Sequence, residues 1–177
     1  MNIQVDPSDN IYIWDEYYER NITTPEHARR LKSLIHWRVD GGYYDPSGAD
    51  EANSIMQMFQ NRQEYHNRWL DNFTMSPAPN EWKAGVERVK EWLKLRPVPD
   101  AMGNATSQQK PKLFVSSECH QTLREFNTYR VREQTERMSE SKDPKEEPRK
   151  KDDHAMDALR YFVAGHFGLE SHWAASY

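Results

Sequence analysis

The order of patterned segments predicts an α/β domain in which helices flank a mixed β-sheet. Three observations carry this. Ile3 and Val5, then Ile11 and Ile13, alternate with polar residues on either side of an Asp6-Pro7-Ser8-Asp9-Asn10 turn cluster, which reads as an antiparallel hairpin. Beyond it, short apolar runs alternate with amphipathic segments, the order that builds right-handed crossovers and parallel strand pairs. The 177 residues are 36% hydrophobic and 29% charged, enough for a single domain with a modest core under a polar surface.

The second strand ends in Asp15-Glu16-Tyr17-Tyr18. Thr24-Pro25-Glu26 then opens a helix, with Thr24 as N-cap and Pro25 at the first helical position. Ala28, Leu31, Leu34 and Ile35 form its stripe, which runs to about Trp37. Gly41 to Tyr44 is a short strand, expected near the centre of the sheet, and it ends in an Asp45-Pro46-Ser47-Gly48 turn. Ala52, Ile55, Met56 and Phe59 mark another helix, Phe73-Thr74-Met75 a candidate strand, and Asn80 to Leu95 a helix through Trp82, Val86, Val89, Trp92 and Leu93. Leu95 to Lys110, with Pro97, Pro99 and Gly103, reads as a loop. Pro111 to Ser116 is the next strand, and Cys119 to about Arg132 a helix carrying Leu123, Phe126 and Tyr129. From about residue 138 to 151, charges of both signs and two prolines replace large apolar residues, the composition of a flexible solvated loop. An irregular tail of about residues 166–177 follows the last helix.

Composition excludes several functions. A net charge of −4 argues against a protein that simply coats nucleic acid, though not against an enzyme that concentrates acids at one site. One cysteine, Cys119, rules out an intramolecular disulfide and fits a reducing compartment. Its neighbour His120 points elsewhere on a helix, so Cys119 reads as a small residue at a helix start. There is no phosphate-binding Gly-Lys-Ser/Thr loop, hence no ATP hydrolysis by this chain, and no zinc-type spacing or Gly-x-Ser-x-Gly elbow. No apolar run approaches the roughly 18 residues that span a bilayer, and no signal-peptide pattern opens the chain.

The chemistry lies in Lys151 to Tyr161. Ala155, Met156, Leu159, Phe162 and Val163 form an apolar helical stripe, and Asp153 and Asp157, four apart, share a neighbouring face with His154 close by. Acids in a first helical turn are favoured by the helix dipole, and Asp152 is a candidate N-cap. Asp157 lies a turn further in, where two like charges repel unless a cation sits between them. A carboxylate at a strand end, Asp45, with two on a packed helix is a donor set suited to Mg²⁺. Two such ions about 4 Å apart activate water and stabilise the leaving oxygen of a phosphodiester. His154 could orient a carboxylate or assist proton transfer. Lys145, Arg149, Lys150 and Lys151 lead into this helix and are candidate contacts for DNA phosphates. The plainer readings are a solvated acidic helix start, good turn chemistry at Asp45 and a solvated charged loop.

Tyr43-Tyr44-Asp45-Pro46-Ser47-Gly48, Trp82-Lys83-Ala84-Gly85-Val86 and Asp153-His154-Ala155-Met156-Asp157-Ala158-Leu159-Arg160-Tyr161 resemble the C-terminal nuclease domain of tailed-phage large terminase subunits. The hairpin ending in Asp15-Glu16-Tyr17-Tyr18 is similar too, and the resemblance covers roughly Asn2 to Tyr161. It implies an RNase H-like, integrase-type fold. It also implies a Mg²⁺- or Mn²⁺-dependent endonuclease that cuts concatemeric double-stranded DNA during viral genome packaging. Asp45 matches the second metal-binding acid of that family; Asp153 and Asp157, with His154 beside them, match positions of the last. Implied partners are double-stranded DNA, the small terminase subunit, the portal protein and an N-terminal ATPase motor, with no membrane. The implied setting is the bacterial host cytoplasm, at the procapsid.

The family's first acid lies on an earlier strand, in an Asp-x-Gly context that this sequence lacks. Asp6, in the hairpin turn, and Glu16, at the strand end, are not convincing substitutes. Met1 therefore reads as a start imposed on a longer protein, without the first strand. The expectation is weak metal binding, feeble cleavage and an exposed sheet edge. A second reading follows, a catalytically incomplete module that binds DNA or packaging partners without cutting. A third is another RNase H-like DNA enzyme, such as a resolvase or integrase, with a different arrangement of acids.

Overall fold

The computed structural model describes residues 1–61, 67–129 and 153–169. In chain order the elements are β1 (Asn2–Val5), β2 (Ile11–Asp15), α1 (Thr24–Leu34), β3 (Gly42–Tyr44), α2 (Ala49–Gln60), β4 (Met75–Pro77) and α3 (Trp82–Leu93). These are followed by β5 (Arg96–Pro99), β6 (Ala105–Lys110), β7 (Leu113–Val115), α4 (His120–Thr128) and α5 (His154–Phe167). Two compact units result, one of residues 1–16 and 81–160, the other of residues 17–80 and 161–177. Among the described residues no helix is long and apolar enough to cross a membrane.

In the first unit the sheet order is β1-β2-β7, with β1 antiparallel and β7 parallel to β2. The alternation is as the sequence predicts: Ile11 and Ile13 are fully buried, while Tyr12 and Trp14 face outward. Asp6 makes the turn. Its carboxylate accepts the Asn10 side-chain amide, the Asn10 backbone N–H and then the Ser8 N–H, which hold the carboxyl below its ordinary range. Asp9 takes the positive φ of 59° that such a turn needs and an Asp tolerates. The carbonyl of Asp9 in turn receives the indole N–H of Trp92, the buried anchor of α3.

Segment 95–110 is not a loop. β5 and β6 pair as an antiparallel ribbon, with Thr106 Oγ1 donating to the Val98 carbonyl. Pro97 and Pro99 fit because a ribbon edge needs no donor at every residue. On α3 the buried face is Gly85, Arg88 and Trp92, and Leu93 is largely exposed. Arg88 is accommodated by pairing with Glu91 and lying over the Trp92 ring. The buried face of α4 is Thr122 and Glu125; Leu123, Phe126 and Tyr129 are half-buried. The expected continuation of α4 to Arg132 lies outside the described residues.

In the second unit β3 runs parallel to β4, with Tyr43 opposite Ser76. Its partner among the described residues is β4 alone, so β3 is not shown as a central strand. β4 begins at Met75, two residues later than expected, because Phe73 turns into the core against Phe59. That core comprises Ala28, Ile35, Phe59, Leu70 and Phe73, joined by Leu31, Ile55 and Met56. Helix α1 ends at Leu34 rather than Trp37, and Thr23 precedes it in the cap position expected of Thr24. Its stripe is rotated from the expected one: Lys32 is buried while Leu34 is half exposed.

Candidate active site

Asp45 follows β3 and caps the short helical turn of residues Pro46–Gly48. Its Oδ1 accepts both the backbone N–H and the hydroxyl of Ser47 at 2.9 Å. Its Oδ2 accepts the phenol of Tyr161 at 2.7 Å. Tyr161 is 7% exposed and sits in the half of α5 that packs on β3. That packing is close: Gly165 faces the Tyr43 ring with no room for a Cβ, and Phe162 meets the same ring edge-on at 6.2 Å. Turn chemistry and a buried tyrosine thus both hold this carboxylate.

At the other end of α5, Asp153 immediately precedes the helix, and its carbonyl accepts the Asp157 N–H as the first helical bond. Asp152, the expected cap, lies outside the described residues, as do Lys145, Arg149, Lys150 and Lys151. Asp153 is 9% exposed, and among the described residues no hydrogen bond or ion pair reaches its carboxylate. Asp157, one turn on, is paired with Arg160, whose Nε and Nη2 lie 3.2 and 3.1 Å from Oδ1. Arg160 is buried, and its stem crosses α3 at Gly85, where a Cβ would come within 2.7 Å of Arg160 Cγ. The glycine of the Trp-Lys-Ala-Gly-Val motif is therefore the seat of that arginine. His154 opens the helix and is exposed.

Two carboxylates that sequence reasoning did not single out as structural parts govern this end. Glu16, after β2, accepts the N–H groups of Gln121 and Thr122 and the Thr122 hydroxyl, at 2.6 to 2.9 Å, and so caps α4. Glu125, on α4 and fully buried, accepts the N–H groups of Ala155 at 2.6 Å and Met156 at 3.3 Å, and so caps α5. Each supplies negative charge where a helix start presents unsatisfied donors and a positive dipole end. Tyr129, which accepts the Trp82 indole N–H, stands nearby. Burial, then the Asp157 and Asp153 charges, raise its phenol above the ordinary value, opposed by the Trp82 bond and Arg160.

Asp153 and Asp157 are oxygen donors of the kind a hard divalent cation takes. Asp153 is the better placed, because it is nearly buried and among the described residues no cation pairs with it. Among the described residues no three His, Cys, Asp or Glu side chains gather as a ready metal cage.

The family model for the terminase RNaseH-like domain matches residues 1–165. The chain belongs to that family. Its fold class is accordingly RNase H-like, and the mixed α/β elements of this terminase domain agree with it. No match is found among curated proteins or among solved structures.

Proposed function

We propose that this terminase domain is a Mg²⁺- or Mn²⁺-dependent endonuclease that cuts concatemeric double-stranded DNA during phage genome packaging. The observation that carries the reading is Asp153, a nearly buried carboxylate without a described counter-ion, one helical turn from Asp157. Asp153 and Asp157 would hold the metal at the start of α5. When bound, it supplies a polarised water and positive charge at the leaving oxygen.

The chain's own residues prepare that chemistry. Glu125 fixes the helix start that presents Asp153 and Asp157. Tyr161 and Ser47 orient the Asp45 carboxylate by donating to it. His154, exposed at the start of α5, is the residue this reading assigns to proton transfer. In this setting the partners are double-stranded DNA, the small terminase subunit, the portal protein and an ATPase motor, in the host cytoplasm at the procapsid. Calorimetric titration with Mn²⁺ tests the reading: binding should be lost in Asp153→Asn, and undiminished binding in that variant would overturn it.

The Arg160–Asp157 ion pair favours a second reading, because it already neutralises one acid of the set. A module that binds DNA or packaging partners without cutting would keep its duplex affinity and show no metal-dependent cleavage.

A further inference from the structure

Tyr129 closes α4 within the first unit, its N–H bonded to the Glu125 carbonyl at 2.7 Å. Two independent contacts bring its side chain to the start of α5. Glu125, one turn before it on α4, reaches the Ala155 and Met156 N–H groups, and residues four apart share a helix face. From the other side, Trp82 on α3 donates its indole N–H to the Tyr129 phenol oxygen at 3.0 Å. Gly85, three residues further along the same face of α3, seats the stem of Arg160, the partner of Asp157. The phenol therefore lies within electrostatic reach of Asp157, Arg160 and Asp153.

An indole nitrogen can only donate, so the phenol oxygen is the acceptor of that bond and its own proton is directed elsewhere. Donation to the oxygen also polarises the phenol and strengthens its O–H as a donor. The ring is half-buried and held at its tip, and a phenol keeps its proton at neutral pH. A fixed, neutral, polarised donor beside two carboxylates suits an anionic oxygen brought in from outside. A phosphodiester is the ligand whose oxygens would come to this end of α5.

We propose that Tyr129 is a substrate-binding residue of this terminase domain, its phenol donating to a non-bridging oxygen of the DNA phosphate that meets the start of α5. The proposal deepens the nuclease reading and rests on it for which phosphate is taken. The hydrogen bond itself, from a neutral donor to a backbone oxygen, needs no metal.

The experiment measures binding of a mixed-sequence DNA duplex to the full chain, to Tyr129→Phe and to Trp82→Phe, in EDTA and again in Ca²⁺, with Mn²⁺ affinity measured alongside by calorimetry. Tyr129→Phe removes one oxygen from a half-buried ring, and thermal melts show whether each variant is folded. Duplex binding should weaken by about three- to tenfold in Tyr129→Phe. Its salt dependence should stay that of the parent, because a neutral donor releases no counterion. Mn²⁺ affinity should not change. Trp82→Phe keeps the phenol but loosens it, and should lose less. Duplex affinity in Tyr129→Phe equal to the parent's in both conditions would overturn the proposal. So would a loss of Mn²⁺ affinity in Tyr129→Phe, or a larger loss of duplex affinity in Trp82→Phe, since either would mean that the pair only holds α3 against α4. A parent chain that takes no Mn²⁺ strikes the nuclease reading instead, and the EDTA comparison still decides the phenol's contact.

Discussion

The Glu125 carboxylate accepts the Ala155 N–H at 2.6 Å across 30 residues of sequence, and so closes the start of the helix that carries Asp153 and Asp157. A fully buried charge is costly unless hydrogen-bonded, and here two backbone donors and a helix dipole compensate it. Glu125→Ala should cost about 1–3 kcal/mol in urea denaturation, because it strands buried donors. Glu125→Gln keeps an acceptor and should cost less while lowering Mn²⁺ affinity. Equal stability loss in both variants would mean the carboxylate is not acting as a cap.

Tyr161→Phe removes the hydroxyl that donates to Asp45 and leaves the ring in place. Since Asp45 is partly solvated, the stability loss should be about 1 kcal/mol. If Asp45 serves the chemistry, the same change should reduce cleavage by more than its stability effect explains. Thermal melts and plasmid nicking on one preparation measure both.

Two helical glycines should respond oppositely to alanine. At Gly165 the added methyl would meet rigid Tyr43 ring atoms, and overpacking there should destabilise by about 1–3 kcal/mol. At Gly85 it meets the flexible stem of Arg160, and the helix gains about 1 kcal/mol of propensity in compensation. Gly85→Ala should therefore be near neutral in stability while disturbing the Arg160–Asp157 pair, which Mn²⁺ titration reads.

Cys119 is fully buried at the start of α4, and burial, then Glu16 and Asp15, raise its thiol above the ordinary value. A raised folded value favours the protonated form. The thiol thus contributes stability below the ordinary thiol range, which is lost as pH rises through the elevated value. Iodoacetamide at pH 8 should label Cys119 slowly in the folded chain and rapidly after denaturation. Equal rates would show the site is open.

The hairpin and the stripe of α5 were legible because one face of each is apolar and the other is not. Ile11, Ile13, Leu159 and Val163 are all buried at the positions their spacing predicts. The β5–β6 ribbon was not legible: Ala105 to Lys110 is almost wholly polar and exposed, so pairing leaves no alternation to read. Lys32 and Glu125 do not stand out in the sequence, for one shared reason. A charge on a helix reads as solvent-facing, and what buries each lies far along the chain, the Met58 and Asn61 carbonyls for one and the Ala155 N–H for the other. The only local hint was that Glu125 falls three residues after Thr122 on the face that became buried.

Plasmid cleavage by the purified chain with Mn²⁺, compared with Asp45→Ala and Asp153→Ala, bears most directly on the acids as a working set. The account predicts weak Mn²⁺-dependent nicking by the parent that EDTA abolishes and that each substitution removes while the variants still fold. Nicking that persists in both variants, or that continues in EDTA, would contradict it.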